Sequence, residues 1–438
     1  MTIKSFTMRK IILFGSGFLC FSLSPQIFAS AFQLWEQNAV SIGNYHAGYA
    51  AEANDASIAF YNPAGITLIQ NQQVVVSGFA AVTNFKFKGT VAVNNILNNT
   101  PQAATAQGGG ASFVPNLEYV APITDRIGFG FTVTVPFGLQ TNYGYDSVVR
   151  YASTLVSIKV IDISPSLGLQ LTDKSSIGFG PDLQYANAEF DQVAGLGGTP
   201  RFDTNSINQA NDTGWGYHAG WLYQFTPETR LGLSYHSQVV HHLSRKSKFE
   251  GPIAGDLNPI VSRATANITL PPYTAVSLYH RINPKITVMS TVIYTQWNVL
   301  RELLMKNIAA VDEIGNPTTL TVDIPEYFKN TWNVSVGANY DINDQVTLTS
   351  GVGYDETPVQ NAYRTVQLPD NDRFVIAFGG HYQYSKAMGF DLGWSHFFMR
   401  KAKVAPPVQV TGNQQVTTNG SVTGGADVYG AQLTWNFV

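Results

Sequence analysis

The chain ends in Tyr429-Gly430-Ala431-Gln432-Leu433-Thr434-Trp435-Asn436-Phe437, where an apolar residue stands at every second position and glycine or a polar residue between. Period two is the spacing of a β-strand whose faces meet different surroundings. One face here is aliphatic with aromatic ends, and the other is small and polar. The same alternation recurs at 129–135, at 332–340 and at 215–225, where Leu222 is the exception. A water-soluble barrel would carry charge on its outward face. These apolar faces carry almost none, as contact with lipid requires.

Composition narrows the class further. The chain has 438 residues, of which 13% are charged, about half of the roughly 25% usual for a soluble domain. Aromatics reach 12%, there are 39 glycines, and mean hydropathy is near zero. Few charges with many aromatics exclude a disordered or acidic-tail protein. No run after residue 31 approaches eighteen apolar residues, so the sequence predicts no membrane helix. A net charge of −3 gives no basic face for nucleic acid.

The first thirty-one residues read as a cleaved signal peptide. Lys4, Arg9 and Lys10 form a basic start, 11–23 an apolar core, and Ala29-Ser30-Ala31 a small-residue cleavage site. Thirteen apolar residues are too few to cross roughly 30 Å of hydrocarbon as a helix. Removal of residues 1–31 leaves 23 basic and 29 acidic side chains, or −6, and takes with it Cys20, the only cysteine. The remaining chain needs no disulfide and offers no thiol chemistry.

Connections along the rest of the chain alternate in length. Short turns are predicted at 122–125, 172–174, 226–229, 282–285, 341–344 and 385–387. Long polar or glycine-rich segments fall near 89–111, 144–153, 190–213, 243–267, 299–326, 356–372 and 401–426. Thirteen connections join fourteen antiparallel strands, an even number with both ends on the short-turn, periplasmic side. The strands must close into a transmembrane β-barrel over 73–438, because an open edge in hydrocarbon leaves backbone groups unpaired. A propeller or tandem sandwich does not account for the short–long alternation.

Residues 32–72 do not read as strand. They are Ala-rich, with short helical pieces predicted at 46–53 and 55–60, and with Asp55 and Asn62-Pro63 as turns or caps. About forty residues cannot bury a core of their own. Ahead of a barrel, they are expected to sit inside it as a hatch.

The hatch resembles that of the outer-membrane long-chain fatty acid and hydrocarbon transporters of the FadL/TodX type, also called OmpP1-like. The matching features are Phe32-Gln33-Leu34, the Ala/Gly-rich run to Asn54-Asp55-Ala56, and Asn62-Pro63-Ala64. Others follow in the family's order: Val114-Pro115-Asn116, Phe137-Gly138-Leu139, Ser234-Tyr235-His236-Ser237, Gly353-Tyr354-Asp355 and Leu368-Pro369-Asp370-Asn371-Asp372-Arg373-Phe374.

The resemblance implies a Gram-negative outer-membrane protein that takes up hydrophobic compounds passively, long-chain fatty acids first among them. It implies an apolar pocket near the hatch's N-terminus, with Phe32 and Leu34 as ligand-binding residues. Exit sideways through a kinked third strand is also implied. That strand is predicted at 126–143 and contains Pro136-Phe137-Gly138, the gate residues, with Asn62-Pro63-Ala64 expected against the kink. Pro165 and Pro181 also lie in predicted strands. The fatty acid transporters carry a basic side chain just after the fifth strand, where residues 185–197 have neither Arg nor Lys. Arg201, Arg301, Lys306 and Lys329 are candidates elsewhere, and a neutral aromatic or alkane ligand is the nearest rival.

The sequence supports no catalytic residues, cofactor or metal. No nucleotide-binding, GxSxG, HExxH or CxxC motif is present. His241 and His242 are adjacent, and in a strand would point to opposite faces. Arg245, Lys246 and Lys248 fall in one long loop, where lipopolysaccharide phosphates or solvent are the expected contacts. The expected state is a monomer in outer-membrane lipid. An outer-membrane hydrolase, a nonspecific porin and a surface adhesin remain as other classes.

Overall fold

The computed structural model describes residues 31–94, 101–195, 200–412 and 414–437. The expected signal peptide, apart from Ala31, lies outside the described residues. Fourteen antiparallel strands form the wall: Gln72–Asn94, Ala111–Pro122, Ile127–Asn142, Leu155–Thr172, Ser175–Ala194, Thr204–Thr226, Thr229–His236, Tyr273–Asn283, Ile286–Thr295, Thr331–Asn343, Val346–Asp355, Arg373–Gln383, Met388–Met399 and Gln414–Phe437. The first strand pairs with the last from Gln72↔Phe437 to Asn94↔Gln415, so the sheet is a closed barrel. All six predicted short turns fall between paired neighbours, and all seven long segments emerge at the opposite rim. Two of the long segments build hairpins there, Val239–Glu250 with Ile260–Leu270 and Glu302–Val311 with Pro317–Pro325.

Alternation sorts the two faces as lipid contact requires. Trp215, Trp332, Val336, Tyr429 and Phe437 point outward and are exposed, whereas His218, Asn333, Ser335 and Gln432 point inward and are buried. His241 is buried and His242 exposed, on opposite faces as adjacency in a strand demands.

Residues 31–70 lie inside the barrel. Their polar contacts reach strands all round the ring: Asn116 donates to the Gln37 carbonyl, Ala39 N–H to Gln432, Gly48 N–H to Thr291, and Asn62 to the Trp221 carbonyl. The hatch's helix is Ala39–Asn44, with Asn38 and Ser41 forming a reciprocal cap and Tyr45 ending it in the left-handed region. The helical piece predicted at 46–53 is instead a series of turns. Amides there donate to inward hydroxyls (Tyr49 to Thr291, Ala50 to Ser277), and those wall contacts displace the helix that alanine content favours. The second predicted piece becomes a helix at Ile58–Tyr61, followed by a 3₁₀ turn at Pro63–Leu68.

Candidate functional site

The third strand, Ile127–Asn142, is where the wall departs from a regular ladder. Its pairing with the second strand stops at Leu117↔Val133, although both strands continue toward the outer rim. Toward the fourth strand the register shifts between Thr134↔Asp162 and Phe137↔Val160, so Val135 and Pro136 share one opposite residue. Two residues against one is a bulge, which bends the strand. Pro136 also brings no N–H to the ladder. The fourth and fifth strands lapse too, opposite Pro165 and Pro181, but their register resumes unshifted from Ile163↔Leu183 to Leu167↔Phe179. Only the third-strand proline coincides with a change of register.

Hatch residues occupy the edge left open by the second strand. Gln33 pairs antiparallel with Phe137; Leu34 N–H donates to the Pro136 carbonyl and Gly138 N–H to the Phe32 carbonyl, each at 2.8 Å. The Gln37 side chain continues the edge, accepting from Val135 N–H and donating to the Val135 carbonyl. Its own carbonyl accepts from Asn116 of the second strand and from Ser77 of the first. Backbone groups that a neighbouring strand would satisfy are thus satisfied by the plug, as burial in a membrane wall demands.

Phe32 turns from this edge into a narrow apolar cavity of about 30 Å³. Its walls come from Leu139 and Ile158 of the barrel, Leu300, Leu303 and Phe328 of the outer hairpin region, and Leu368 of the sixth long segment. Phe32 lies 4.9 Å from Trp297 and 6.0 Å from Phe137, edge-on or tilted, and Trp297 in turn meets Phe328 at 5.7 Å. Among the described residues the half-buried Glu326 is the only ionisable side chain lining the cavity, and desolvation pushes its carboxyl up to about 8. A second, outer cleft of about 100 Å³ is lined by Pro406, Pro407, Val408 and Met305. Phe190, Ile324 and Gln367 line both spaces, so the two adjoin.

The sixth long segment is tied down by charge. Arg373 reaches Asp355 at 3.1 Å and Asp370 at 3.4 Å. Asp370 and Arg373 belong to the run 368–374, which is thereby held to the outer end of the strand Val346–Asp355.

Of the residues singled out in the sequence, Phe32 lines the cavity and Phe137 and Gly138 meet the hatch at the bulge. Leu34 is buried but packs with Trp35 and Ile42 in the hatch core, away from the cavity. Asn62-Pro63-Ala64 is not at the kink: Asn62 bonds the Ala50 and Trp221 carbonyls, and Pro63 packs on Gly168 and Gly178. The inner faces of the fourth to sixth strands are glycine there, and a Cβ at Gly220 would overlap Asn62 Oδ1. The expected contact fails because the triplet's ring and amide need that flat surface. Arg301 and Lys306 line a polar recess outside the cavity, and Arg201 stacks on Phe202. Gln37, Trp297 and Glu326 went unnoticed in the sequence. Gln37 sits three residues beyond Phe32-Gln33-Leu34, but nothing in its local pattern marks it.

The description "Outer membrane protein transport protein (OMPP1/FadL/TodX)" fits residues 20–437. The chain is 26% identical to outer membrane protein P1 of Haemophilus influenzae over 93% of its length and 95% of that protein's. It is 27% identical to a long-chain fatty acid transport protein of Salmonella typhi, covering 87% and 90%. The crystal structure of a Pseudomonas aeruginosa FadL homologue superposes with a TM-score of 0.80 at 24% identity, covering 93% of this chain and 100% of that one. The Ralstonia pickettii toluene transporter TbuX gives 0.67 at 16%, covering 92% and 98%, a likeness of fold. With the closed wall, the interior hatch and the match over nearly the whole chain, this protein belongs to the outer membrane protein transport family of OMPP1, FadL and TodX.

Proposed function

We propose that this outer-membrane barrel takes up long hydrophobic compounds passively, long-chain fatty acids first among them, and releases them sideways between its second and third strands. The observation that carries the reading is the double placement of Phe32. Its side chain is a wall of the apolar cavity, and its carbonyl holds Gly138 at the broken edge of the third strand. A chain entering from the outer cleft displaces Phe32, breaks the short hatch ladder at 136–138, and uncovers the gap. Partitioning favours this route, since each methylene returned to water costs about 0.8 kcal/mol. A ligand handed directly to lipid never pays that cost.

A second reading, neutral aromatic or alkane ligands, is favoured by the lack of any Lys or Arg among the residues lining the cavity. The barrel closes on itself, which supports a monomer, and exposed Arg245 and Lys246 on the outer hairpin are suited to lipopolysaccharide phosphates.

The test is a disulfide across the Gln33–Phe137 pair, which is antiparallel and flanked by both hydrogen bonds, so its Cβ atoms lie close. The double variant Gln33→Cys/Phe137→Cys should take up labelled oleate when reduced and fail when oxidised. Equal uptake in both states would reject movement of the hatch end as the opening step.

A further inference from the structure

We propose that Asn116, Glu118, Thr132 and Thr134 form a site for a hard monovalent cation, sodium, which joins the second and third strands at the periplasmic end of the gap between them. The site is apart from the cavity and does not depend on what the barrel carries.

The four residues face the interior as a two-by-two grid. Glu118 is paired with Thr132, next to the last pair of the ladder, Leu117↔Val133. Asn116 and Thr134 stand one residue beyond that last pair, on the same inner face, where the pairing has stopped. Facing residues on two strands have Cβ atoms about 5 Å apart, and same-face neighbours along a strand lie roughly 7 Å apart. The centre of such a grid is about 4 Å from each Cβ, within reach of side-chain oxygens.

All four side chains are buried: Glu118, Thr132 and Thr134 are 0% exposed and Asn116 is 3% exposed. Yet neither Glu118 carboxyl oxygen, nor Asn116 Oδ1, nor either threonine hydroxyl has a hydrogen-bond partner among the described residues. A buried polar group left without a partner costs about 1–3 kcal/mol. One cation at the centre satisfies all of these oxygens together.

The donors decide which ion. All are oxygens, which suit hard cations and not zinc or copper. One carboxylate with three neutral oxygens balances a single positive charge, and a divalent ion would leave a net charge buried. Neighbouring elements bring no free ligand of opposite preference. The first strand sets Val75 and Ser77 beside Glu118 and Asn116. The fourth sets Ser164 and Asp162 beside Thr132 and Thr134, and the Asp162 carboxyl already accepts from Ser164 and Gln184. In the hatch, Asp55 accepts from Ser57 and Gln432, and the Gln37 carbonyl takes the Asn116 amide N–H, leaving Asn116 Oδ1 for the ion.

Hydrogen exchange of the purified barrel in lipid nanodiscs, over a sodium titration in which N-methylglucamine keeps the ionic strength constant, tests this. Binding slows opening-dependent exchange by about tenfold when sodium reaches about ten times its dissociation constant. The amides of 116–118 and 132–134 should slow by that factor, and those of Val346–Asp355, remote from the gap, should not change. Glu118→Gln keeps the shape and removes the charge, and it should abolish the response. Thr132→Val removes one oxygen and should move the titration to about tenfold higher sodium. Exchange that is the same in both salts overturns the proposal, since a protonated Glu118 or bound water would then satisfy the grid. A Glu118→Gln barrel that titrates like wild type places the ion elsewhere and overturns it too. Slowing by calcium chloride without slowing by sodium overturns the assignment to a monovalent ion. The wild-type titration needs no variant to fold.

Discussion

Gln37 and Val135 are bonded twice: Val135 N–H donates to Gln37 Oε1 at 3.1 Å, and Gln37 Nε2 donates to the Val135 carbonyl at 3.2 Å. A side chain thus stands in for one residue of a missing strand. Gln37→Leu keeps the volume and removes the partner of three buried backbone groups, the Val135 N–H and carbonyl and the Leu34 carbonyl, at about 1–3 kcal/mol each. Amide exchange at Val135 should accelerate about tenfold or more, with Phe131, on the intact ladder, unchanged. Unaltered protection at Val135 would show that the edge is held without Gln37.

Phe32 ties the hatch to the cavity by its ring. Phe32→Ala removes most of an apolar wall, worth roughly 1.5–3 kcal/mol of contact for a fully buried side chain. Affinity for a long-chain ligand should fall by about tenfold to a hundredfold. Circular dichroism should show the same strand content. Binding at wild-type strength would place the ligand elsewhere, the outer cleft being the next place to look.

Asn62 holds the other side of the hatch. Asn62→Asp keeps the acceptor that caps Ala64 N–H but loses the donors to the Ala50 and Trp221 carbonyls, which then face a carboxylate. Two broken bonds at about 1–3 kcal/mol each are enough to loosen a plug without unfolding the wall. Planar bilayers should show larger and more frequent ion currents than wild type. Gly220→Val, which drives a side chain into Asn62, should behave alike. Silent bilayers with both variants would show that the triplet does not seat the hatch.

Arg373 sits between Asp355 and Asp370, all three buried. Arg373→Met takes the cation from both ion pairs, and removing one partner of a buried ion pair costs about 3–5 kcal/mol. The sixth long segment, 356–372, should become cleavable by added protease on whole cells. Resistance equal to wild type would mean that the segment is anchored by its other contacts, such as those of Arg364.

Much of the wall was legible because a membrane strand is written with strict rules. Lipid forbids charge on one face and the hatch demands small groups on the other, so the alternation at 215–225 and 429–437 survives in one dimension. Turn lengths added the strand count. The hatch's helices were less legible, since Gly48, Tyr49 and Ala50 give their amides to Thr291 and Ser277, more than two hundred residues away. Local propensity cannot register such partners. For the same reason the seat of Asn62-Pro63-Ala64 on glycines of three strands escaped the sequence.

The sequence by itself determined a closed barrel with a plug, because periodicity, composition and connection length are local properties that hydrocarbon and hydrogen bonding constrain at each strand. Only the tertiary structure decided where the wall is incomplete and what completes it. Pro136, Pro165 and Pro181 look alike along the chain. What separates them is register, and register is a relation between strands. Glu326 likewise is one acid among many until Phe32, Leu139 and Leu368, drawn from remote parts of the chain, set apolar side chains around it that disfavour its charge.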